Sequence, residues 1–269
     1  MTQQQTLGST PLLTLAALML SAALLLWLSN ANQALFLRWN HAGGMLPDWL
    51  WANLTLVADT LFAVAVLLTA ACYRPLLLTQ SLVLLILGAV FVHFFKNTLD
   101  VARPAAVLSH DSFTIIGAVL KGHSFPSGHS FTALSCAGLL WLNNKRLSVG
   151  LLILLLGLAA ALSRAMVGAH WPLDILVGGT FGLLFACLSV ALVNRFQWLQ
   201  AHGWKLLSAL LLTLASGYLA FHEDGYPFTD PLAIAASLVA VITALVKIWL
   251  PFARLLRQQD TGNRIVGGR

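Results

Sequence analysis

The chain has 269 residues, 59% of them hydrophobic and 9% charged, with a mean hydropathy of +0.84. Soluble domains carry about 25% charged residues, and disordered chains need low hydrophobicity with high net charge, so both classes are excluded and a polytopic helical membrane protein is left. The net charge of +6 does not point to nucleic acid, because the 15 Lys and Arg are scattered singly or in pairs between apolar runs, whereas a nucleic-acid groove needs them clustered.

A bilayer core takes about 20 apolar residues of helix. In chain order the runs that meet this lie at 11–28, 51–72, 76–95, 126–142, 147–166, 173–193, 205–221 and 231–250, with no period-two alternation that would suggest barrel strands. The expected fold is therefore all-α, a polytopic transmembrane helical bundle of about eight spans, forming a single integral membrane domain over 1–269. Residues 1–10 lack Lys and Arg, and with them the charged n-region of a secretory signal, so the first run reads as an uncleaved span. Cys72, Cys136 and Cys187 lie in or beside apolar runs without metal-binding or disulfide spacing, and read as packing residues. Trp49, Trp51, Trp141, Trp171, Trp198, Trp204 and Trp249 fall at or near run ends, as interfacial belts do, Trp171 also sitting inside a motif described below.

Eight spans put both termini on one side. With that side cytoplasmic, Arg74, Lys145, Arg146, Arg195, Lys205, Lys247, Arg254, Arg257, Arg264 and Arg269 are inside, ten of the 15 basic residues. Arg38, Lys96, Arg103, Lys121 and Arg164 are outside. Cytoplasmic loops accumulate Lys and Arg, so the expected setting is a bacterial inner membrane with cytoplasmic termini and the outer set of loops on the periplasmic face.

Three polar clusters face that outer compartment: Lys96-x6-Arg103-Pro104, Pro126-Ser127-Gly128-His129, and Ser163-Arg164-x5-His170-x3-Asp174. They suit a phosphoryl group. Pro126 fits a first helical turn, leaving the Ser127, Gly128 and His129 amides at a helix N-terminus that favours anions. Gly128 lets backbone approach a ligand. Arg103 and Arg164 present planar forks to phosphate oxygens, and Lys96 a point charge. His170 and Asp174 are four apart around Pro172, so the carboxylate can orient the ring and leave Nε2 as nucleophile. His129 then protonates the leaving oxygen. No metal or cofactor is expected at so cation-rich a site.

In order and spacing, the three clusters resemble the motifs of the type 2 phosphatidic acid phosphatase superfamily, over roughly 76–193. The resemblance implies a membrane-embedded, metal-independent phosphatase with a phosphohistidine intermediate: His170 as nucleophile, Asp174 as orienting carboxylate, His129 as acid, and Lys96, Arg103, Ser127, Gly128 and Arg164 binding phosphate. It also implies a six-span core, to which this chain adds a hairpin at 205–250.

Other polar residues are less specific. Asp59 lies within the second run, where an ionisable group is costly and usually faces an interior or a cavity; it supports the cluster, binds a headgroup, or bonds another helix. His93, one turn before Lys96, and Pro126 and Ser163 within the motifs are candidate supporting residues. The outer segment between the first two motifs, carrying Asp100, His110, Asp111, Lys121 and His123, is long enough to be a folded lid. The expected partners are a lipid phosphate or diphosphate, such as undecaprenyl diphosphate, phosphatidylglycerol phosphate, phosphatidic acid or lipid A, together with membrane lipids. A lipid-to-lipid phosphotransferase would use the same site. A lipid transporter or flippase is the alternative of another class, without the repeats and interrupted midplane spans typical of transporters.

Overall fold

The computed structural model describes residues 6–266, with side chains through 258. The described residues fold into helices and connecting segments, without strands. The helices are α1 (Thr10–Leu28), α2 (Asn32–Gly43), α3 (Asp48–Val57), α4 (Thr60–Ala71), α5 (Leu76–Leu99), α6 (Pro104–Val107), α7 (Gly128–Leu142), α8 (Leu147–Met166), α9 (Pro172–Arg195), α10 (His202–Tyr218) and α11 (Asp230–Ala244). A π-helical turn at Leu245–Trp249 joins α11 to α12 (Leu250–Val266).

Six helical segments among the described residues are long and apolar enough to cross a membrane, and a bent pair, α3 with α4, makes a seventh. The count differs from eight for two local reasons. The expected run 51–72 is broken at Asp59, whose extended backbone and Oδ1, accepting from the Leu61 and Phe62 amides at 2.7 and 3.3 Å, start α4 afresh; the two halves meet at 60°. An N-cap is what a short carboxylate does well, so Asp59 is spent on the bend. The fourth run gives α7, only 15 residues, about 22 Å of helix against a hydrocarbon core of about 30 Å.

Short α7 is the centre of the bundle, packed between α8 and α9. Gly178 and Gly182, one turn apart on α9, lie against the Ser127 and Phe131 carbonyls of α7, and a Cβ at either would overlap those oxygens. This contact, of the small-residue kind that brings helix backbones together, sets the start of α9 beside the start of α7. Phe91, Phe131, Phe181 and Phe185 stack between α5, α7 and α9. α1 covers α9, and α10 and α11 lie against α4. Outward faces carry exposed leucines, among them Leu18, Leu25, Leu152 and Leu214. Trp27, Trp49, Trp198 and Trp204 are exposed. Trp141 is buried, its Nε1 donating to the Gly8 carbonyl at 2.9 Å.

Candidate active site

The C-terminal ends of α5 and α8 and the N-terminal ends of α7 and α9 meet at one end of the bundle. α8 closes at Gly168, whose φ of +77 suits glycine. The amides of Ala169 and His170 both return to the Arg164 carbonyl, at 3.0 and 3.1 Å. This turn brings His170 over the start of α9. Asp174 Oδ2 accepts from the Trp171 amide at 3.0 Å and faces His170 Nδ1 at 3.4 Å. Trp171 Nε1 donates to the Ala102 carbonyl at 2.8 Å, tying down the segment before Arg103.

Arg103 is buried and held in three directions: Nε donates to the Gly122 carbonyl at 2.8 Å, and Nη1 lies 3.0 Å from the Ala169 carbonyl and 3.2 Å from His170 Nε2. Guanidinium only donates, so Nε2 accepts and the ring proton sits on Nδ1, towards Asp174. Burial, then the charges of Arg103, Arg164, Lys96 and His129, hold the His170 pKa well below the ordinary imidazole value. The ring is accordingly neutral.

Ser127 caps α7, its Oγ accepting from the Ser130 amide at 3.2 Å and the Ser130 hydroxyl at 2.8 Å. Two expectations change here. Pro126 precedes the cap instead of opening the helix, and the Ser127 amide is taken by the Asp174 carbonyl at 3.1 Å. The amides left at the helix start are those of Gly128 and His129, which have no intrahelical partner. Lys96 reaches this end: its Nζ lies 3.7 Å from where a Cβ on Gly128 would stand. Ser163 bonds Thr55 Oγ1 at 2.8 Å and the Ala160 carbonyl at 2.7 Å, joining α8 to α3.

A cavity of about 320 Å³ runs between α4, α5 and α7, from Leu67, Leu84 and Leu85 up to Lys96, Gly128 and His129. His93 lines its wall. The outer segment is folded, as expected: Asn40 of α2 brackets Thr114, donating to its carbonyl at 2.9 Å and accepting from its amide at 2.7 Å. Arg103 and Ser124 pair in backbone with Lys121 and Val101. Asp100 and His123 form an exposed pair at 3.2 Å.

Two neighbours of the cluster carry no sequence signal. Ser124 is fully buried and donates to Asp174 Oδ2 at 2.5 Å, with His170 Nδ1 3.5 Å away; only its place two residues before Pro126 sets it apart. Tyr226 arrives from the segment joining α10 and α11, and its hydroxyl accepts from Arg164 Nη1 at 2.8 Å. Among the described residues no group of His, Cys, Asp and Glu side chains is arranged to hold a metal.

A histidine faced by a carboxylate and set among cations at one end of a helical bundle is an arrangement suited to an anion. The chain belongs to the PAP2 superfamily, whose family model matches residues 77–198. It is 33% identical over 190 residues to the YbjG protein of Escherichia coli (strain K12), provisionally named an undecaprenyl-diphosphatase, covering 68% of this chain and 90% of that one. It is 30% identical over 136 residues to a lipid A 1-phosphatase of Rhizobium johnstonii, covering 48% of this chain and 54% of that relative. The crystal structure of Aquifex aeolicus LpxE superimposes with a TM-score of 0.50 at 25% identity, covering 60% of this chain and 94% of that one.

Proposed function

We propose that the chain is an integral membrane phosphatase that hydrolyses a lipid phosphate or diphosphate through a phosphohistidine on His170. The observation that carries this is the setting of His170: buried, its Nδ1 facing Asp174 and its Nε2 beside Arg103 Nη1. Residues 76–193 are the phosphatase core, and 205–250 an added hairpin.

Arg103, Arg164, Lys96 and the Gly128 and His129 amides hold the phosphoryl oxygens and stabilise the charge that spreads over them in transfer. His170 Nε2 attacks phosphorus while the bond to the lipid oxygen breaks, and His129, protonated once the anionic phosphate is bound among the cations, gives that oxygen its proton. Asp174 stabilises the charged ring. Water then attacks the phosphohistidine, giving its proton to His129. Inorganic phosphate leaves, and both histidines return to their starting states. No step calls on a metal. The cavity below Lys96 and His129 receives the lipid chain, which stays in hydrocarbon while the headgroup meets the cations.

Arg74, Lys145, Arg146 and Arg195 lie at the helix ends opposite the site, by the directions of α5, α8 and α9. With the positive-inside rule, this charge distribution supports a site on the outer face of a bacterial inner membrane, with cytoplasmic termini.

The test is phosphate release by the full-length protein in detergent micelles from phosphatidic acid, phosphatidylglycerol phosphate, undecaprenyl diphosphate and lipid A, with and without EDTA. Labelled substrate, quenched during turnover, should leave an acid-labile phosphoryl group on the wild type and none on His170→Asn. Full activity in that variant would end the nucleophile assignment. Loss of activity with EDTA, restored by a divalent cation, would end the metal-free mechanism.

A further inference from the structure

Arg164 is 1% exposed, and its guanidinium is anchored less than that of Arg103. Among the described residues its Nε has no hydrogen-bond partner, and the bond its side chain makes is Nη1 to the Tyr226 hydroxyl at 2.8 Å. The guanidinium carbon also stands 5.4 Å from the Tyr226 ring centroid, within cation–π range. Lys96, Arg103 and Arg164 lie close enough to repel one another, and before a phosphate arrives that repulsion would turn a loosely held guanidinium outward.

The segment that delivers Tyr226 is built as a strap. Asp224 Oδ1 accepts from the Tyr226 amide at 2.8 Å and the Thr229 hydroxyl at 2.9 Å. The Gly225 carbonyl accepts from the Ala118 amide at 3.2 Å, and the Phe228 carbonyl from Asn53 Nδ2 at 3.2 Å. The Tyr226 ring packs on the small cluster of Ile116, Val167, Ala169 and Ala52. The strap is thus bonded to the outer segment and to α3, and it belongs to the hairpin beyond residues 77–198, the part matched to the family.

We propose that Tyr226 is a positioning residue for Arg164, so that the added C-terminal hairpin completes the phosphate subsite of the core. This rests on the phosphatase reading above. Tyr226→Phe keeps the ring and its packing and removes the hydroxyl, so the variant should fold and lose only a few degrees of melting temperature, by roughly one hydrogen bond's worth of stability. Losing the hydrogen bond that sets the guanidinium should weaken inhibition by orthovanadate and lower kcat/KM for phosphatidic acid micelles, each by about tenfold or more, the scale of one charge-assisted bond. In an Arg164→Lys background the same change should add little, because residues acting through one contact are not additive. Unchanged vanadate inhibition in Tyr226→Phe, or a full additional loss in the Arg164→Lys background, overturns the inference while leaving the phosphatase reading standing. A wild type that neither releases phosphate nor binds vanadate overturns both.

Discussion

Arg103 Nη1 lies 3.2 Å from His170 Nε2, so the guanidinium rests on the lone pair that the proposed reaction uses. Attack on phosphorus requires that lone pair, and the same N–H must therefore turn from the ring to a phosphoryl oxygen as substrate arrives. The bonds to the Gly122 and Ala169 carbonyls fix the plane in which it turns. Lysine has neither the plane nor the fork. Arg103→Lys should keep the fold and lose about 10²-fold in kcat, the scale of one lost donor at a developing oxyanion. Single-turnover phosphate release measures it, and a loss under threefold would show that Arg103 only packs.

The neutral state of His170 has a sign that can be tested. Its folded pKa is depressed by burial, with the surrounding cations adding to the effect. Below about pH 6.5 the unfolded chain takes up a proton that the folded ring refuses, so stability is lost as pH falls from there until the folded ring itself protonates. His170→Gln should flatten part of this decline in melting temperature between about pH 7 and 5. In kcat/KM, which reports the free enzyme, the acid limb owed to the nucleophile should lie below about 6.5. A limb above that value would contradict the buried, cation-flanked ring.

Much of this site was legible because its parts are local. Lys96 and Arg103, Ser127 to His129, and Arg164 to Asp174 each lie within one short run, and apolar helices of bilayer length can only bring run ends to one end of a bundle or the other. What the runs do not encode is contact across the chain. Nothing in Tyr226 or its flanks announces Arg164, 62 residues away, and Ser124 is distinguished only by what it touches. Asp59 was visible as an ionisable group in an apolar run, but whether it caps, pairs or binds depends on backbone geometry, and the cap broke one expected span into two. The Ser127 amide departs from its expected role for a related reason: the Gly178 and Gly182 approach brings the Asp174 carbonyl to it, and close packing between helices distant in sequence has no local signature.

Ser124 leads to a prediction of its own. Its hydroxyl donates to Asp174 Oδ2 at 2.5 Å in a fully buried setting, where Asp174 also holds the Trp171 amide. Removing one buried partner of a carboxylate costs about 1–3 kcal/mol, and a carboxylate set less firmly orients the ring less well. Ser124→Ala should lower kcat by roughly tenfold with little change in KM, on that scale. Ser124→Thr keeps the hydroxyl and should recover part of the loss. Equal rates for the alanine variant and the wild type would make Ser124 a packing residue.

The cavity gives the sharpest separation between headgroup chemistry and lipid binding. Between Leu84 and Lys96 it follows α5 for about 18 Å, walled by Ala63, Val64, Leu67, Leu85 and Ala89. Ala89 is exposed on its rim, so a larger side chain there enters the groove without rebuilding the core. Ala89→Trp should leave the melting temperature near that of the wild type and reduce kcat/KM for a long-chain lipid phosphate by about tenfold or more, since blocking even a few methylenes forfeits about 0.8 kcal/mol each. Hydrolysis of a short, water-soluble phosphate ester, which does not need the groove, should be unchanged. Equal losses on both substrates would mean that the substitution disturbs the histidines instead, and unchanged rates on both would mean that the lipid chain lies elsewhere.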